Sequence, residues 1–134
     1  MYLLDTNVCI RLLNGRTPAV AHRLQGHRPA EVVLCSVVRA ELIHGAHRSS
    51  RPAENLRLLE RFFAPFASLP FDDHCAAAYG RVRYDLERAG ALIGPNDLLI
   101  AATAVAHDLT LVTANTREFA RVIGLALENW ESAA

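Results

Sequence analysis

The chain has 134 residues, is 51% hydrophobic and 21% charged, and carries 14 cationic and 14 acidic side chains. This length fits a single domain over residues 1–134, enough to bury roughly two thirds of the surface of the unfolded chain. The composition excludes a disordered protein, no apolar run approaches membrane-spanning length, and no basic stretch precedes the first apolar residues as in a signal peptide. Three cysteines without CxxC spacing add to the expectation of a cytoplasmic protein without a membrane partner.

All the cationic side chains are arginines, and they are distributed unevenly. Residues 1–61 carry nine Arg and five acids, whereas residues 62–134 carry five Arg and nine acids. Arg binds phosphate through its planar fork, but a genome rich in G and C favours the same residue. The arginines alone therefore do not indicate a nucleic-acid partner.

The first segments read as a strand followed by a helix. Tyr2–Leu4 is a short apolar strand, residues 8–13 have helical spacing, and Thr6 or Asn7 is a candidate helix cap. Asp5 thus follows the first strand directly, and open α/β sheets bind ligands at the carboxyl ends of their strands.

A second strand and helix place another acid beside the core. Residues 18–26 indicate a short helix, residues 32–35 form a buried strand, and Ser36 is a candidate cap for a helix over 37–47. Glu41 lies beside the apolar stripe of that helix, where a carboxylate needs a cationic partner. Arg39 points to another side of the helix, so a local ion pair does not explain Glu41.

The middle of the chain contributes structure and no assigned chemistry. An amphipathic helix is predicted over 52–63, an edge strand over 66–71 and a capped helix over 72–89. His44 and His47 have a zinc-compatible spacing but no third ligand in register, so they are expected to be exposed. The other four histidines form no pattern, and we assign none of them a role.

The last third supplies two further acids. Gly94-Pro95 precedes an apolar helix whose first turn contains Asp97, and residues 110–113 form a fourth strand. Asn115 and Glu118 follow that strand in a loop that enters a short helix. Residues 125–127 are a candidate fifth strand, and residues 128–131 are expected to lead into a frayed tail.

Strands alternate with helices along the whole chain. This order predicts an α/β fold with a central parallel sheet of four to five strands and helices on both faces. Asp5 and Asn115 would then lie at the carboxyl edge, with Glu41 and Asp97 on helices that lean over it. Clustered carboxylates need cations, and all-oxygen ligands favour Mg²⁺ or Mn²⁺, ions that support phosphodiester hydrolysis.

Four sequence blocks resemble the motifs of the PIN-domain nucleases, and more narrowly those of the VapC-type toxins. They are Asp5-Thr6-Asn7, Ser36-Val37-Val38-Arg39-Ala40-Glu41-Leu42, Gly94-Pro95-Asn96-Asp97-Leu98-Leu99-Ile100-Ala101 and Val112-Thr113-Ala114-Asn115-Thr116-Arg117-Glu118-Phe119. Their order and spacing span nearly the whole chain. The resemblance implies a PIN-like three-layer α/β/α fold and a Mg²⁺-dependent endoribonuclease, with Mn²⁺ as an alternative ion.

The resemblance also implies roles for individual residues. Asp5, Glu41 and Asp97 match the three acids that hold the metal in such nucleases, and Thr113 and Asn7 match polar positions that line the site. The fourth block often has an acid at the position of Asn115. We therefore expect Asn115 and Glu118 to complete the catalytic set, with Glu118 supplying the outer carboxylate.

The same resemblance implies partners. A VapB-type antitoxin would hold the enzyme inactive, laying an Arg or similar group near the acids and covering apolar grooves that include residues 52–63. We expect a homodimer and contact with operator DNA only through the antitoxin. Transfer RNA is the favoured substrate, since members with the Asn-Thr-Arg-Glu-Phe form of the fourth block include toxins that cut transfer RNA. The end of the chain, Leu127-Glu128-Asn129-Trp130, also resembles that group.

Alternative functions make different demands on the sequence. A receiver domain needs a Lys near its last strand, and a haloacid-dehalogenase-type phosphatase needs an Asp where Asn7 stands; this chain has neither. A binding module that acts mainly in autoregulation, or a PIN nuclease of RNA processing outside a toxin pair, remains compatible with these residues.

Overall fold

A computed structural model describes residues 1–132 and contains one five-stranded sheet in the order β3-β2-β1-β4-β5. Every neighbouring pair of strands is parallel. The strands are β1 (Tyr2–Leu4), β2 (Val32–Cys35), β3 (Ala67–Leu69), β4 (Thr110–Val112) and β5 (Leu127–Glu128). The predicted parallel sheet is confirmed, and the strand that contains Ala67–Leu69 is at an edge, as the neighbouring proline indicates.

Seven α-helices flank the sheet in a three-layer α/β/α arrangement within the described part of the chain. A 3-10 turn at Pro29–Glu31 precedes β2. The helices are α1 (Thr6–Asn14), α2 (Pro18–Gln25), α3 (Ser36–Arg48), α4 (Pro52–Phe63), α5 (Asp73–Arg88), α6 (Pro95–Ala106) and α7 (Thr116–Phe119). Within residues 1–132, every helix is too short or too polar to cross a lipid bilayer.

The core lies between the sheet and its helices. All four residues of β2 are buried, which matches a central strand covered on both faces. In α6, Leu98 and the run from Ile100 to Ala104 are buried, so the prediction of a buried helix is confirmed. The amphipathic α4 directs Leu59 and Phe63 into the core.

Three local predictions at helix ends are wrong or incomplete. The N-cap position of α1 is occupied by Asp5, whose side chain accepts a hydrogen bond from the Thr6 amide; neither Thr6 nor Asn7 is the cap. Ser36 is the first residue of α3 and not its cap, because Cys35 holds the extended backbone at the boundary. Both strands therefore run into their helices without an intervening loop, and this brings the helix starts directly to the carboxyl edge of the sheet.

The segment around Trp130 is anchored in the fold, and the frayed tail expected after residue 131 lies almost wholly outside the described residues. Trp130 is 1% exposed, stacks on His27 at 5.2 Å between ring centroids, and donates from Nε1 to Glu128 at 3.0 Å. Arg23 also pairs with Glu128, at 3.3 Å. These contacts fasten β5 to α2 and the segment that follows it.

Candidate active site

The carboxyl ends of β1 and β4 create the site. Leu4 pairs with Val112 across these central neighbours, and the Asp5 amide donates to the Val112 carbonyl at 3.0 Å. The residues that follow each strand, Asp5 and Thr113, therefore stand side by side although 108 positions separate them in the sequence.

Asp5 is a buried carboxylate held by two donors. It is 3% exposed; its Oδ2 accepts from the Thr113 hydroxyl and its Oδ1 from the Thr6 amide, each at 2.8 Å. Burial raises the pKa of Asp5 above its ordinary value, and these two hydrogen bonds act in the opposite direction. Nearby Glu41 and Glu118 raise the pKa further, so other negative charges act on the same point.

Glu41 reaches the cluster from α3. Its Oε1 accepts from the Thr6 hydroxyl at 2.7 Å, which ties the side chain to the residue after Asp5. Arg39 instead stacks over Phe63, with 4.4 Å between its guanidinium carbon and the ring centroid. The expectation that Arg39 does not neutralise Glu41 is confirmed.

Asp97 approaches from the first turn of α6. It is partly buried, and burial together with the charges of Asp5, Glu118 and Glu41 raises its pKa to about 6. A helix N-terminus ordinarily favours a negative charge. The raised pKa therefore means that desolvation and the neighbouring acids outweigh the helix dipole at this position.

Asn115 and Glu118 form a hydrogen-bonded pair beside Asp97. One carboxylate oxygen of Glu118 accepts from the Asn115 side-chain amide, and the other accepts from the Gly94 amide at 3.0 Å. The bond from Gly94, followed by the bond from Asn115, lowers the pKa of Glu118. Glu118 thus stays ionised and faces the loop before α6, and its carboxylate does not cap its own helix.

The two supporting residues of the sequence prediction lie in different environments. Thr113 is fully buried, and its hydroxyl donates to Asp5 while accepting from the Asn115 amide at 3.0 Å. It therefore links the ends of β1 and β4 in one hydrogen-bond chain. Asn7 is exposed in the first turn of α1, next to the Thr6 that contacts Glu41.

The donor set fits a hard divalent cation. Asp5, Glu41, Asp97 and Glu118 offer carboxylate oxygens only, the ligands that Mg²⁺ and Mn²⁺ prefer. Among the described residues, no Arg, Lys or His nitrogen lies within 4.0 Å of these four carboxylates. Their mutual repulsion is consequently left for a bound cation to relieve.

The carboxylates are nevertheless not packed as a closed metal site. Within residues 1–132, the one group of three Asp, Glu, Cys or His side chains whose ligand atoms all lie within 4.8 Å of one another is Asp72, Cys75 and His107. Among the described residues, no three of the sheet-edge acids lie as close together, although Asp97 and Glu118 are near enough to share a side-chain hydrogen bond.

A PIN-domain family model matches residues 2–125. The chain belongs to the PIN-domain family. It is 37% identical to the ribonuclease VapC2 of Rickettsia felis, with 98% of each chain covered, and 38% identical to the tRNA(fMet)-specific endonuclease VapC of Shigella flexneri, covering 96% of this chain and 97% of the relative. These relatives place this PIN-domain protein with the VapC-type members, as its four motif blocks predict.

Solved structures agree with this assignment. VapBC2 from Rickettsia felis, bound to a DNA fragment from its promoter, contains a chain that is 37% identical, with a TM-score of 0.91 over 96% of this chain and 98% of that chain. VapBC from Salmonella typhimurium, also bound to DNA, contains a chain that is 34% identical, with a TM-score of 0.91 over 96% of this chain and 97% of that one.

Sequence reasoning missed two features of this PIN-domain protein. Thr6 was considered only as a helix cap, yet its hydroxyl joins Glu41 to the end of β1. The grouping of Asp72, Cys75 and His107 was also missed, because His107 is 32 residues from Cys75 and no local spacing connects them. In the sequence, the sole signal of that group was the unexplained Cys75 three residues after an acid.

Proposed function

We propose that this PIN-domain protein is a metal-dependent endoribonuclease toxin that hydrolyses RNA phosphodiester bonds and is neutralised by a cognate antitoxin. The observation that carries the proposal is the set of four carboxylates at one sheet edge, where burial and then the neighbouring acids raise the pKa of Asp97 to about 6. Without a bound cation, an acid cluster of this kind would destabilise the fold. The cluster is therefore evidence for a function that uses a cation. The ribonuclease and endonuclease names of the full-length relatives support the same activity.

The proposed ligands of the metal are Asp5, Glu41 and Asp97, with Mg²⁺ as the favoured ion and Mn²⁺ as an alternative. When bound, such an ion activates water and neutralises negative charge on a phosphoryl oxygen. Thr113 and the Thr6 amide orient the two oxygens of Asp5, and Thr6 also orients Glu41. In this proposal Glu118, with its lowered pKa, remains a carboxylate that accepts hydrogen bonds at the edge of the site, and Asn115 holds it in place.

A groove between α3 and α6 is the proposed approach of the RNA. It has a volume of about 350 Å³, and its lining includes Glu41 and the polar side chains of Ser36, His44 and Asn96. Hydroxyl, imidazole and amide groups suit sugar and phosphate oxygens. Transfer RNA is our favoured substrate, since the tRNA(fMet)-specific VapC of Shigella flexneri is 38% identical over nearly its whole length.

Cleavage by the purified chain tests the enzyme directly. Free protein should cut a mixture of bacterial transfer RNAs in Mg²⁺, and EDTA should stop the reaction. Sequencing the 5′ ends of the fragments then identifies the RNA and the position cut. Metal-independent cleavage would contradict the proposed metal dependence. No cleavage of any cellular RNA by protein freed from its antitoxin would contradict the enzyme and favour a binding module.

A second groove supports the proposed antitoxin contact. It has a volume of about 340 Å³ and is lined mainly by aliphatic side chains of α1, α3 and α4. Ile10, Leu13 and Leu58 are each about 40% exposed there (43%, 39% and 44%), although large aliphatic side chains favour burial. Glu41 lines this groove as well, so an occupant would end beside the acid cluster. An amphipathic antitoxin segment with an Arg at that end would match both features.

A matched pair of substitutions tests the groove. Leu58→Glu should weaken binding of the cognate antitoxin, measured by co-purification and titration calorimetry, and should leave RNA cleavage intact. Leu92→Glu changes a leucine of similar exposure, 46%, outside the groove and should bind normally. Equal binding by both variants would exclude this groove as the antitoxin contact.

We also propose that the chain forms a homodimer and contacts operator DNA only through its antitoxin. The related VapBC complexes from Rickettsia felis and Salmonella typhimurium were solved with DNA. Light scattering of the purified chain should give twice the mass of 14.7 kDa. A monomer at every concentration, or operator binding by the chain alone, would contradict this part of the proposal.

A further inference from the structure

A second ligand group lies where α5 begins and α6 ends. One atom each from Asp72, Cys75 and His107 forms a triangle with all sides within 4.8 Å. His74 links the start of α5 to the end of α6, since its Nε2 lies 2.7 Å from the Ala106 carbonyl oxygen. Asp97 is in the first turn of α6 and His107 is the residue after its end, ten positions later, which corresponds to roughly 15 Å along a helix. This group is therefore separate from the acid cluster.

The ligand chemistry differs from that of the acid cluster. A thiol, an imidazole and one carboxylate are the ligands of zinc, whereas Mg²⁺ prefers oxygen alone. The Cys75 sulfur and His107 Nε2 are 3.7 Å apart. In a tetrahedral zinc site with Zn–S of about 2.3 Å and Zn–N of about 2.0 Å, these two atoms lie roughly 3.6 Å apart. The observed separation is thus already that of two ligands of one ion.

We propose that Asp72, Cys75 and His107 bind a zinc-class divalent ion, with water as the fourth ligand. Asp72 is exposed and Cys75 is buried, so the ion would sit at the surface with its sulfur ligand facing inward. Asp72 Oδ1 accepts from the Cys75 amide at 3.1 Å as the helix cap, and its Oδ2 is left for the ion. On binding, the Cys75 thiol releases its proton to solvent and ligates as the thiolate.

Two ordinary structural roles compete with this inference. Asp72 caps α5, and a thiol–imidazole hydrogen bond also accounts for a separation of 3.7 Å. Neither role requires all three groups to converge, and Asn caps a helix about as well as Asp. Variants that keep the cap but remove the charge therefore separate a metal site from a structural contact.

Cobalt absorption provides the first test. Metal-free reduced protein would be titrated with Co²⁺ in excess Mg²⁺, so that the hard ion occupies oxygen-only sites. We expect a thiolate-to-cobalt charge-transfer band that saturates at one ion per chain, disappears on Zn²⁺ addition, and is absent in Cys75→Ser. Cys9→Ser, which changes another buried thiol, should keep the band. No band in the wild-type protein, or a band that persists in Cys75→Ser, would overturn the proposal.

A second pair of variants keeps the test decisive should Cys75→Ser fail to fold. Asp72→Asn retains a good helix cap but loses the negative ligand, and Asp73→Asn changes the adjacent exposed acid outside the triangle. Zinc affinity, measured by competition with a chelating dye, should fall at least about tenfold in Asp72→Asn alone, since even outer-shell changes cost roughly 10- to 100-fold. Equal zinc affinity in the two variants would mean that Asp72 is only a helix cap and not a metal ligand. Neither measurement depends on RNA cleavage.

Discussion

The two ends of α6 present opposite kinds of titratable cluster. At its start, Asp97 joins three other carboxylates, all oxygen ligands, and burial and like charge raise its pKa to about 6. Beyond its end, His107 meets a thiol and a single carboxylate at close range. The first group is the more open of the two, whereas in the second the Cys75 sulfur and His107 Nε2 are only 3.7 Å apart.

The comparison shows that the two ends of one buried helix lie beside ligand groups of different types. Clustered acids gain stability only when a cation arrives, so their arrangement is evidence for a function that uses one. A Cys–His contact is stable without any ion, so its arrangement is weaker evidence and depends on the cobalt titration. Four substitution and pH experiments test the acid cluster at the start of α6, in order of decreasing effect.

The largest expected effect is that of Asp97→Asn on RNA cleavage. Losing one proposed metal ligand should reduce the rate by at least about 100-fold, the scale on which single stabilising groups act in active sites. Asp108→Asn, at the opposite end of α6, is the matched control, because Asn tolerates the positive φ of 53° found there. Cleavage of a labelled transfer RNA by both variants checks the prediction, and a strongly destabilised but active Asp97→Asn protein would refute it.

Mg²⁺ binding should also raise the melting temperature, and only the acid cluster at the start of α6 should produce this effect. An ion that binds only the folded state adds about 2.7 kcal/mol at 100 times its Kd, which is a shift of several degrees in melting temperature. Glu41→Gln keeps the oxygen that accepts from Thr6 but removes the charge, so the shift with Mg²⁺ should shrink. Glu60→Gln, an exposed acid of α4, should melt like wild type in a Mg²⁺ titration. A full shift in Glu41→Gln would remove Glu41 from the site.

A smaller effect is expected at the Asn115–Glu118 pair. Glu118 accepts from both the Gly94 amide and the Asn115 side-chain amide, and Gln has one acceptor oxygen, so Glu118→Gln loses the charge and one of these two hydrogen bonds. Adding Asn115→Asp places a carboxylate at position 115 and leaves an amide at position 118, the reverse of the wild-type pair. We expect cleavage and Mg²⁺ affinity to fall together in Glu118→Gln and to recover in part in the double variant. Wild-type rates in Glu118→Gln across a metal titration would leave three acids in the site.

The smallest effect concerns pH. Because the pKa of Asp97 is about 6 in the folded protein against 3.8 when unfolded, the metal-free fold loses stability as pH rises from about 4 to 6. Asp97→Asn removes this loss, on the order of 1 kcal/mol after solvent screening of a partly exposed group. Urea unfolding in EDTA at several pH values checks it. A wild-type protein that gains stability relative to Asp97→Asn over this range would contradict the prediction.

The alternation of strands and helices was readable from local patterns. Apolar strands of three or four residues and proline-initiated helices such as Pro52–Phe63 obey short-range rules, and the parallel sheet follows from their order. The acids were also readable, because Asp5 ends a strand and Asp97 follows Gly94-Pro95. The helical spacing identified Glu41 as a further acid, because it placed this carboxylate beside an apolar stripe, where it requires a cationic partner.

Tertiary structure alone decided which groups meet. The register of β1 with β4 places the Thr113 hydroxyl on Asp5, and the packing of α3 brings Glu41 to Thr6. The same holds for Trp130, whose ring stacks on His27 although 103 positions separate the two residues. Residues distant in sequence touch because the sheet and its helices exclude water from a shared core, and no local pattern records that pairing. Cys75 and His107, 32 positions apart, come together for this reason alone.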